Sequence, residues 1–448
     1  MSYSRKVFLG TLAQFISQAI SVLVGIVSVS ILTRYLGPTG YGYFNTTLVF
    51  VSFLSVLGDM GVQAILAREL SQNPEEKQKI KILGNVFVWR IISIFIMFFF
   101  IASISRFMPY APLVKILILI EGARASIALL RGFFITLPQV KMRLDLSAWG
   151  TIILRLSYLL SVVAVFYFDL GITVLFFLMA ICSLLDIIYL YFAFKRLGGV
   201  IKLQFDLKFI KAFLRESLVL GFASVLGTIH YQIDTIILSV IKPAYDVGIY
   251  GAAYNVFTNI IVVPGIFMNT IFPRYAELAH NRKSWIKFFD FSLFLLWLLA
   301  LPIALFIFMF APYIIKIVGG GQFVNSVLPL QILSFALIGA FAFTPFVYMA
   351  IALRRQKQII FVAAIAVIVN VALNLILIPR YTYVGAATAT LVSETLSFLV
   401  FAFVFFKYLK FKINFFLWLK ALLPALLLLI FWIALKLVLP LDFFITQS

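Results

Sequence analysis

"ILTRYLGPTGYGYF", residues 31–44, decides how this chain is to be read. More than twenty largely apolar residues precede it, and another apolar run follows. Between them stand one arginine, one proline, three glycines and three tyrosines, the composition of a turn between two buried helices. Something close to it returns 206 residues later. Ile31, Leu32 and Gly42 fall on Ile237, Leu238 and Gly248, Thr33 falls on Ser239, and Phe44 falls on Tyr250. The same register lays the first apolar run on the seventh and the second on the eighth. The chain therefore reads as a bundle built twice.

Composition sets the solvent. The sequence is 64% hydrophobic and 12% charged, with a mean hydropathy of +1.13. Soluble domains are about half apolar and about a quarter charged, so this chain belongs in a bilayer. A single cysteine, Cys182, excludes a disulfide framework, and two histidines, His230 and His280, exclude a histidine metal cage. The formal charge of +20 is scattered between apolar runs, not gathered on one basic face, which argues for membrane topology and against nucleic acid.

Thirteen runs reach the roughly 20 apolar residues that a crossing needs. They lie near 8–33, 44–66, 82–104, 112–134, 148–168, 172–194, 217–240, 249–272, 288–310, 326–350, 359–378, 384–406 and 416–438. Pro264, Pro302, Pro345 and Pro424 are expected to kink or re-cap individual runs. With the N-terminus in the cytoplasm, 26 of the 36 lysines and arginines fall in inner segments and 7 in outer ones, and Arg90, Arg124 and Arg155 lie inside runs. This positive-inside split places the chain as a multi-pass protein of the plasma (inner) membrane. The first run lacks a small-residue cleavage site and reads as a retained helix.

The expected fold is all-α and polytopic: two parallel six-helix lobes around a central cavity, plus one additional C-terminal span. The expected divisions are 1–194, a cytoplasmic linker at 195–216, 217–406, and a last helix and tail at 407–448. Within the linker, Phe205, Phe209, Phe213 and Leu214 alternate with Lys208, Lys211 and Arg215, and Asp206 can cap the start. This reads as an amphipathic helix on the inner leaflet, with a plain basic linker as the alternative. Tyr35, Tyr41, Tyr43, Trp149 and Trp285 read as interfacial anchors.

At "TRYLGPTGYGYF", "IHYQIDTIILSVIKPAYDVGIYGAAYNVF" and "LIPRYTYVGAATATLVSETLSF" the chain resembles polysaccharide flippases of the Wzx type. These belong to the multidrug/oligosaccharidyl-lipid/polysaccharide (MOP) exporter superfamily, with the MATE drug exporters and the lipid II flippases. The resemblance covers roughly residues 7–406. It implies two lobes in a V and transport of a polyprenyl-diphosphate-linked oligosaccharide from inner to outer leaflet, for surface polysaccharide assembly. It also implies a polysaccharide polymerase or ligase as partner. Many relatives have 14 spans against the 13 counted here.

Ionisable groups inside the membrane are costly and usually face an interior or a wet cavity. Arg90 and Arg155 lie roughly 13 and 12 Å deep at 1.5 Å per residue, and Arg124 lies near the middle of its run. With Arg34 at the outer rim, and Glu121 and Asp59 nearby in sequence or depth, they make a candidate site for a diphosphate, whose oxygens suit planar guanidinium forks. In the competing reading each arginine pairs with a carboxylate, such as Glu121 or Asp186, and stitches helices. In the second half His230 and Asp234 share a helix face, Asn370 and Asn374 repeat that spacing, and Thr388, Thr390 and Glu394 follow. A carboxylate with amide and hydroxyl oxygens suits a hard cation, and resemblance to the lipid II flippases implies sodium or proton coupling there. Interhelical hydrogen bonding is the alternative.

No cofactor is expected. "GGGQ" at 319–322 lacks the Lys-Ser/Thr of a phosphate loop, and no nucleotide-binding domain is present. A MATE-like cation-coupled drug exporter would prefer a carboxylate-dominated cavity. A membrane glycosyltransferase or polymerase would need more than these short outer loops.

Overall fold

The computed structural model describes residues 3–72, 75–278, 281–353, 355–409, 420–424 and 426–430. Most of the thirteenth run, and the tail after it, lie outside the described residues. Those residues are helical nearly throughout, with no strand among them. Among the described residues, eight helices are long and apolar enough to cross a membrane. Hydrocarbon offers no water to backbone amides, so a chain this apolar satisfies them within helices.

The first apolar run and its successor form one helical stretch, α1 (Tyr3–Asp59), broken at Gly37. Fifty-seven straight residues would extend about 86 Å, against a hydrocarbon thickness of about 30 Å, so the break separates two arms of spanning length. Gly37 carries φ 62°, which an L side chain resists, and Pro38 follows. Next come α2 (Val62–Gln72), α3 (Glu76–Phe107), α4 (Pro112–Ile127), α5 (Leu129–Val140), α6 (Leu144–Phe168) and α7 (Gly171–Arg196). The run expected at 112–134 is thus two helices meeting at Ala128. Then follow α8 (Leu207–Ile241), α9 (Ala244–Leu278), α10 (Arg282–Gly319), a 3-10 turn (Gly321–Ser326), α11 (Val327–Ala352) and α12 (Gln356–Leu409). A break at Thr382 divides α12, where a β-branched residue is held at φ 49°. Pro264, Pro302 and Pro345 are accommodated inside continuous helices.

Two compact units result: residues 1–36 with 43–232, and 37–42 with 233–448. In the first, Phe133, Phe134 and Phe194 pack with Ile65, Leu66, Leu190 and Phe213 into one core. The stretch read as a surface helix forms the opening turns of α8, continuous with the seventh run. Phe213 is buried in that core and Phe209 and Leu214 pack against it, whereas Phe205 precedes the helix and is exposed. Asp206 caps α8, accepting from the backbone of Lys208 and Phe209 at 3.1 Å. The Phe209 N–H and then Lys81 hold its carboxyl below the usual carboxylate range. Its own N–H donates to Asn85 Oδ1, which ties the linker to α3.

The second unit is centred on stacked aromatics of α10, α11 and α12, with Phe346 meeting Phe289, Phe401 and Phe405. Trp285 stacks on Phe289 and is buried, so it is a core residue instead of an anchor. Tyr41 is likewise buried, its ring edge-on to Phe323 at 6.0 Å, while Trp149 is exposed. Tyr35, in the first unit, donates to Asp169 Oδ1 at 2.7 Å and accepts from the Gly171 N–H.

The two repeated turns meet inside the second unit. A Cβ on Gly42 would overlap the backbone carbonyl of Ala244, and one on Gly248 would overlap that of Pro38. Gly42 and Gly248 are mates in the 206-residue register, and so are Pro38 and Ala244. The contact is therefore reciprocal, backbone against backbone. We predict that Gly42→Ala and Gly248→Ala will each lower the thermal unfolding temperature in detergent, since overpacking costs about 1–3 kcal/mol. Gly25→Ala, at a position with open space around it, should leave it unchanged. Equal behaviour of all three would show that the turns do not need this approach.

Candidate functional site

Within the first unit the intramembrane charges are mostly neutralised. Arg90, on α3, is fully buried; it donates to Asp59 at the end of α1 and, at 3.5 Å, to the Gly58 carbonyl. Its Nε has no partner among the described residues. Arg124, on α4, is held by Glu121 one turn earlier, with Nε at 2.7 Å from Oε2, and donates to Ser183 of α7 at 3.0 Å. It lies at the edge of an apolar groove of about 330 Å³ between Phe98, Leu119 and Phe177.

A third pair was not anticipated. Arg131, counted in an inner loop by its flanking sequence, lies on α5 and meets Asp186 of α7 at 2.5 Å and Thr151 of α6 at 3.1 Å. The signal was available: Asp186 is a lone carboxylate deep in an apolar run. Arg155 differs from all of these. It stands exposed on α6, eleven residues past Leu144, with no carboxylate partner among the described residues. Arg34 is exposed near the turn at Gly37.

The second unit holds a connected polar network instead. Asp234, on α8, accepts from the Tyr250 hydroxyl of α9, from Thr390 Oγ1 at 3.1 Å and from the Thr235 N–H at 2.7 Å. Ser393 donates to the Thr390 carbonyl and accepts from Asn370 Nδ2 at 3.0 Å. Asn374 Nδ2 donates to Asn370 Oδ1 at 3.0 Å, and Asn374 Oδ1 is buried with no partner among the described residues. The network thus joins α8, α9 and both arms of α12. Glu394, one residue beyond Ser393, is 1% exposed. Thr388 instead donates to its own helix at Val384. His230, one turn before Asp234 and in the first unit, packs edge-on to Tyr231. Tyr250 and Ser393 escaped the sequence reading because a tyrosine and a serine in an apolar run carry no charge to flag them. No group of three or more His, Cys, Asp or Glu suited to a metal ion occurs among the described residues.

Fold and interior charges define a multi-pass helical membrane protein of two units, with paired ions in one and a neutral hydrogen-bonded chain around a carboxylate in the other. Solved structures share its fold. A lipid II flippase, MurJ, in an inward closed conformation matches at a TM-score of 0.75 and 17% identity, covering 95% of this chain and 93% of that one. An inward-facing multidrug resistance MATE transporter of the MOP superfamily matches at 0.68 and 15%, covering 88% and 95%. A candidate O-antigen transporter of Shigella flexneri is 23% identical over 395 residues, 82% of this chain and 90% of that protein. The family model described as polysaccharide biosynthesis protein matches residues 7–279, and the chain belongs to that family. The resemblance and the all-helical fold class read from the sequence are both borne out.

The Arg131–Asp186 pair has a testable weight. Removing one partner of a buried ion pair costs about 3–5 kcal/mol, because the other charge is stranded. Arg131→Ala should therefore sharply lower the unfolding temperature, and Arg131→Met combined with Asp186→Leu should recover most of the loss. A double variant as unstable as the single one would mean that the pair is not the source.

Proposed function

We propose that this protein is a flippase that carries a polyprenyl-diphosphate-linked oligosaccharide from the inner to the outer leaflet by alternating access, for surface polysaccharide assembly. Family membership, the O-antigen transporter relative and the flippase fold support this reading. The observation that carries it is Arg155. An exposed guanidinium far into a spanning helix, without a carboxylate, needs water or an anion beside it. Bare transfer of a diphosphate through hydrocarbon is prohibitively costly. A positive, wet path removes most of that barrier while the lipid tail stays in the bilayer.

In this reading Arg155 meets the diphosphate directly and Arg34 receives it at the outer rim. Arg90 and Arg124 are held ready by Asp59 and Glu121. The functional bodies are the halves 1–194 and 217–406, with the basic rim and the N-terminus in the cytoplasm of a plasma membrane. A polymerase or ligase then consumes the delivered sugar outside.

The driving ion is sodium or a proton at Asp234, with Asn370, Asn374, Thr390 and Glu394 around it and Thr388 and His230 close by in sequence. The unsatisfied, buried Asn374 Oδ1 fits such an occupant, since buried acceptors are normally paired. Bound there, the ion would supply the free energy of its gradient. Tyr250 and Thr390 hold the carboxylate between α9 and α12, so a change in its charge is felt by both helices.

Depleting the protein in its host and profiling polyprenyl-diphosphate sugars by mass spectrometry should reveal one complete lipid-linked oligosaccharide retained on the inner face. An unchanged profile with new drug sensitivity would favour small-molecule export. Arg155→Ala should lower flipping at least tenfold with normal membrane insertion, and Arg155→Lys should retain part of it; full activity in Arg155→Ala would remove the diphosphate contact. Asp234→Asn should abolish the dependence on sodium or pH seen in the unaltered protein. If the unaltered protein responds to neither, the coupling proposal fails.

A further inference from the structure

A groove of about 310 Å³ opens in the first unit where the second arm of α1 ends against α3 and the opening turns of α8. Its walls include Trp89, Ser93, Met97, Phe100 and Leu218, and Asp59 stands at its polar end. The Asp59–Arg90 pair is turned unequally: the Arg90 side chain is 0% exposed and that of Asp59 is 41% exposed. Arg90 bonds Oδ1, and Oδ2 has no partner among the described residues. The groove therefore meets a carboxylate edge, although the whole chain carries a formal +20.

The backbone adds to that sign. The helix stops directly after Asp59, with Met60 at φ 39° and Gly61 at φ 78°, so the groove lies at a helix C-terminus, where carbonyl ends favour a cation. Trp89 offers an aromatic face, and Met97 a polarisable sulfur, beside it.

The exposed apolar wall suits access from the bilayer. Ile96 and Phe100 on α3 and Leu218 on α8 line the groove and are exposed. The arm of α1 from 38 to 59 spans about 33 Å, placing Asp59 at the opposite membrane boundary from the turn, on the lysine- and arginine-rich side. A ligand here is an amphiphile with a cationic head and an apolar chain along α3.

We propose that this groove binds the ammonium headgroup of a zwitterionic phospholipid from the leaflet on the basic side. A primary ammonium donates to Asp59 Oδ2 and rests against Trp89, and one acyl chain runs past Ile96 and Phe100. A trimethylated head has no N–H to donate, and an anionic head meets the carboxylate. The lipid uses the Oδ2 edge of Asp59 and leaves the Oδ1 bond to Arg90 in place, so the site does not depend on the identity of the cargo.

Native mass spectrometry on the full-length protein tests this, using palmitoyl-oleoyl phosphatidylethanolamine, phosphatidylcholine and phosphatidylglycerol at equal concentration. One phosphatidylethanolamine should be retained at least fivefold over phosphatidylcholine. Asp59→Asn should bring the two to near parity. Ser93→Leu, which fills the groove and leaves the ion pair intact, should do the same. Parity in the unaltered protein would overturn the proposal, as would a preference that survives both substitutions or a stronger hold on phosphatidylglycerol. Flipping activity is not read in this experiment, so its outcome is separable from that of the transport proposal.

Discussion

The constraint behind this structure is that hydrocarbon cannot hydrogen-bond. A backbone N–H or carbonyl that leaves its helix inside a bilayer must find another partner or lose several kcal/mol. Helices are therefore the rule, and the informative places are the few where the helix stops. Four of these are Gly37, the Met60–Gly61 pair, Ala128 and Thr382. Each lies beside something the structure uses: the reciprocal turn at Pro38 and Gly42, the Asp59 carboxylate, the pairs of Arg124 and Arg131, and the bend between the arms of α12 that carry Asn370 and Ser393.

The same solvent sets the terms for charge. In the first unit each interior arginine except Arg155 is matched by a carboxylate, at geometry good enough to offset desolvation. The second unit has no buried arginine among the described residues and surrounds Asp234 with hydroxyls and amides. The two strategies differ in consequence. A closed ion pair stitches helices through opposite charges, whereas Asp234 joins them through hydroxyl donors. One unit is therefore held by closed ion pairs and the other by hydrogen bonds around a carboxylate.

Periodicity and length made the crossing helices legible, because an apolar run of some twenty residues has few other uses. The repeat was legible for a related reason, since Gly42 and Gly248 cannot drift where two backbones touch. Partnerships were harder to read. Arg131 looks like a loop residue because it lies close to the end of its apolar run, and its partner lies 55 residues away. The surface-helix reading of 205–215 captured the amphipathic pattern of that segment but not its neighbour. A stripe of Phe209, Phe213 and Leu214 fits a lipid surface and a protein core equally well, and only the packing against α2, α3 and α5 decides between them. Tyr250 was hidden because its role depends entirely on Asp234 lying opposite.

That last pair shows how the two halves of a duplicated bundle diverge in chemistry. In the 206-residue register the mates of Asp234 and Tyr250 are Ser28 and Phe44. Phe44 is buried against Phe176, and Ser28 is fully buried with no partner for its hydroxyl among the described residues. The two positions are core in both copies, so the backbone tolerates either chemistry. A carboxylate at the first position is supported by a hydroxyl at the second, which joins Thr390 and the Thr235 N–H in offsetting its burial. Serine with phenylalanine and aspartate with tyrosine are thus the two self-consistent solutions, one in each half.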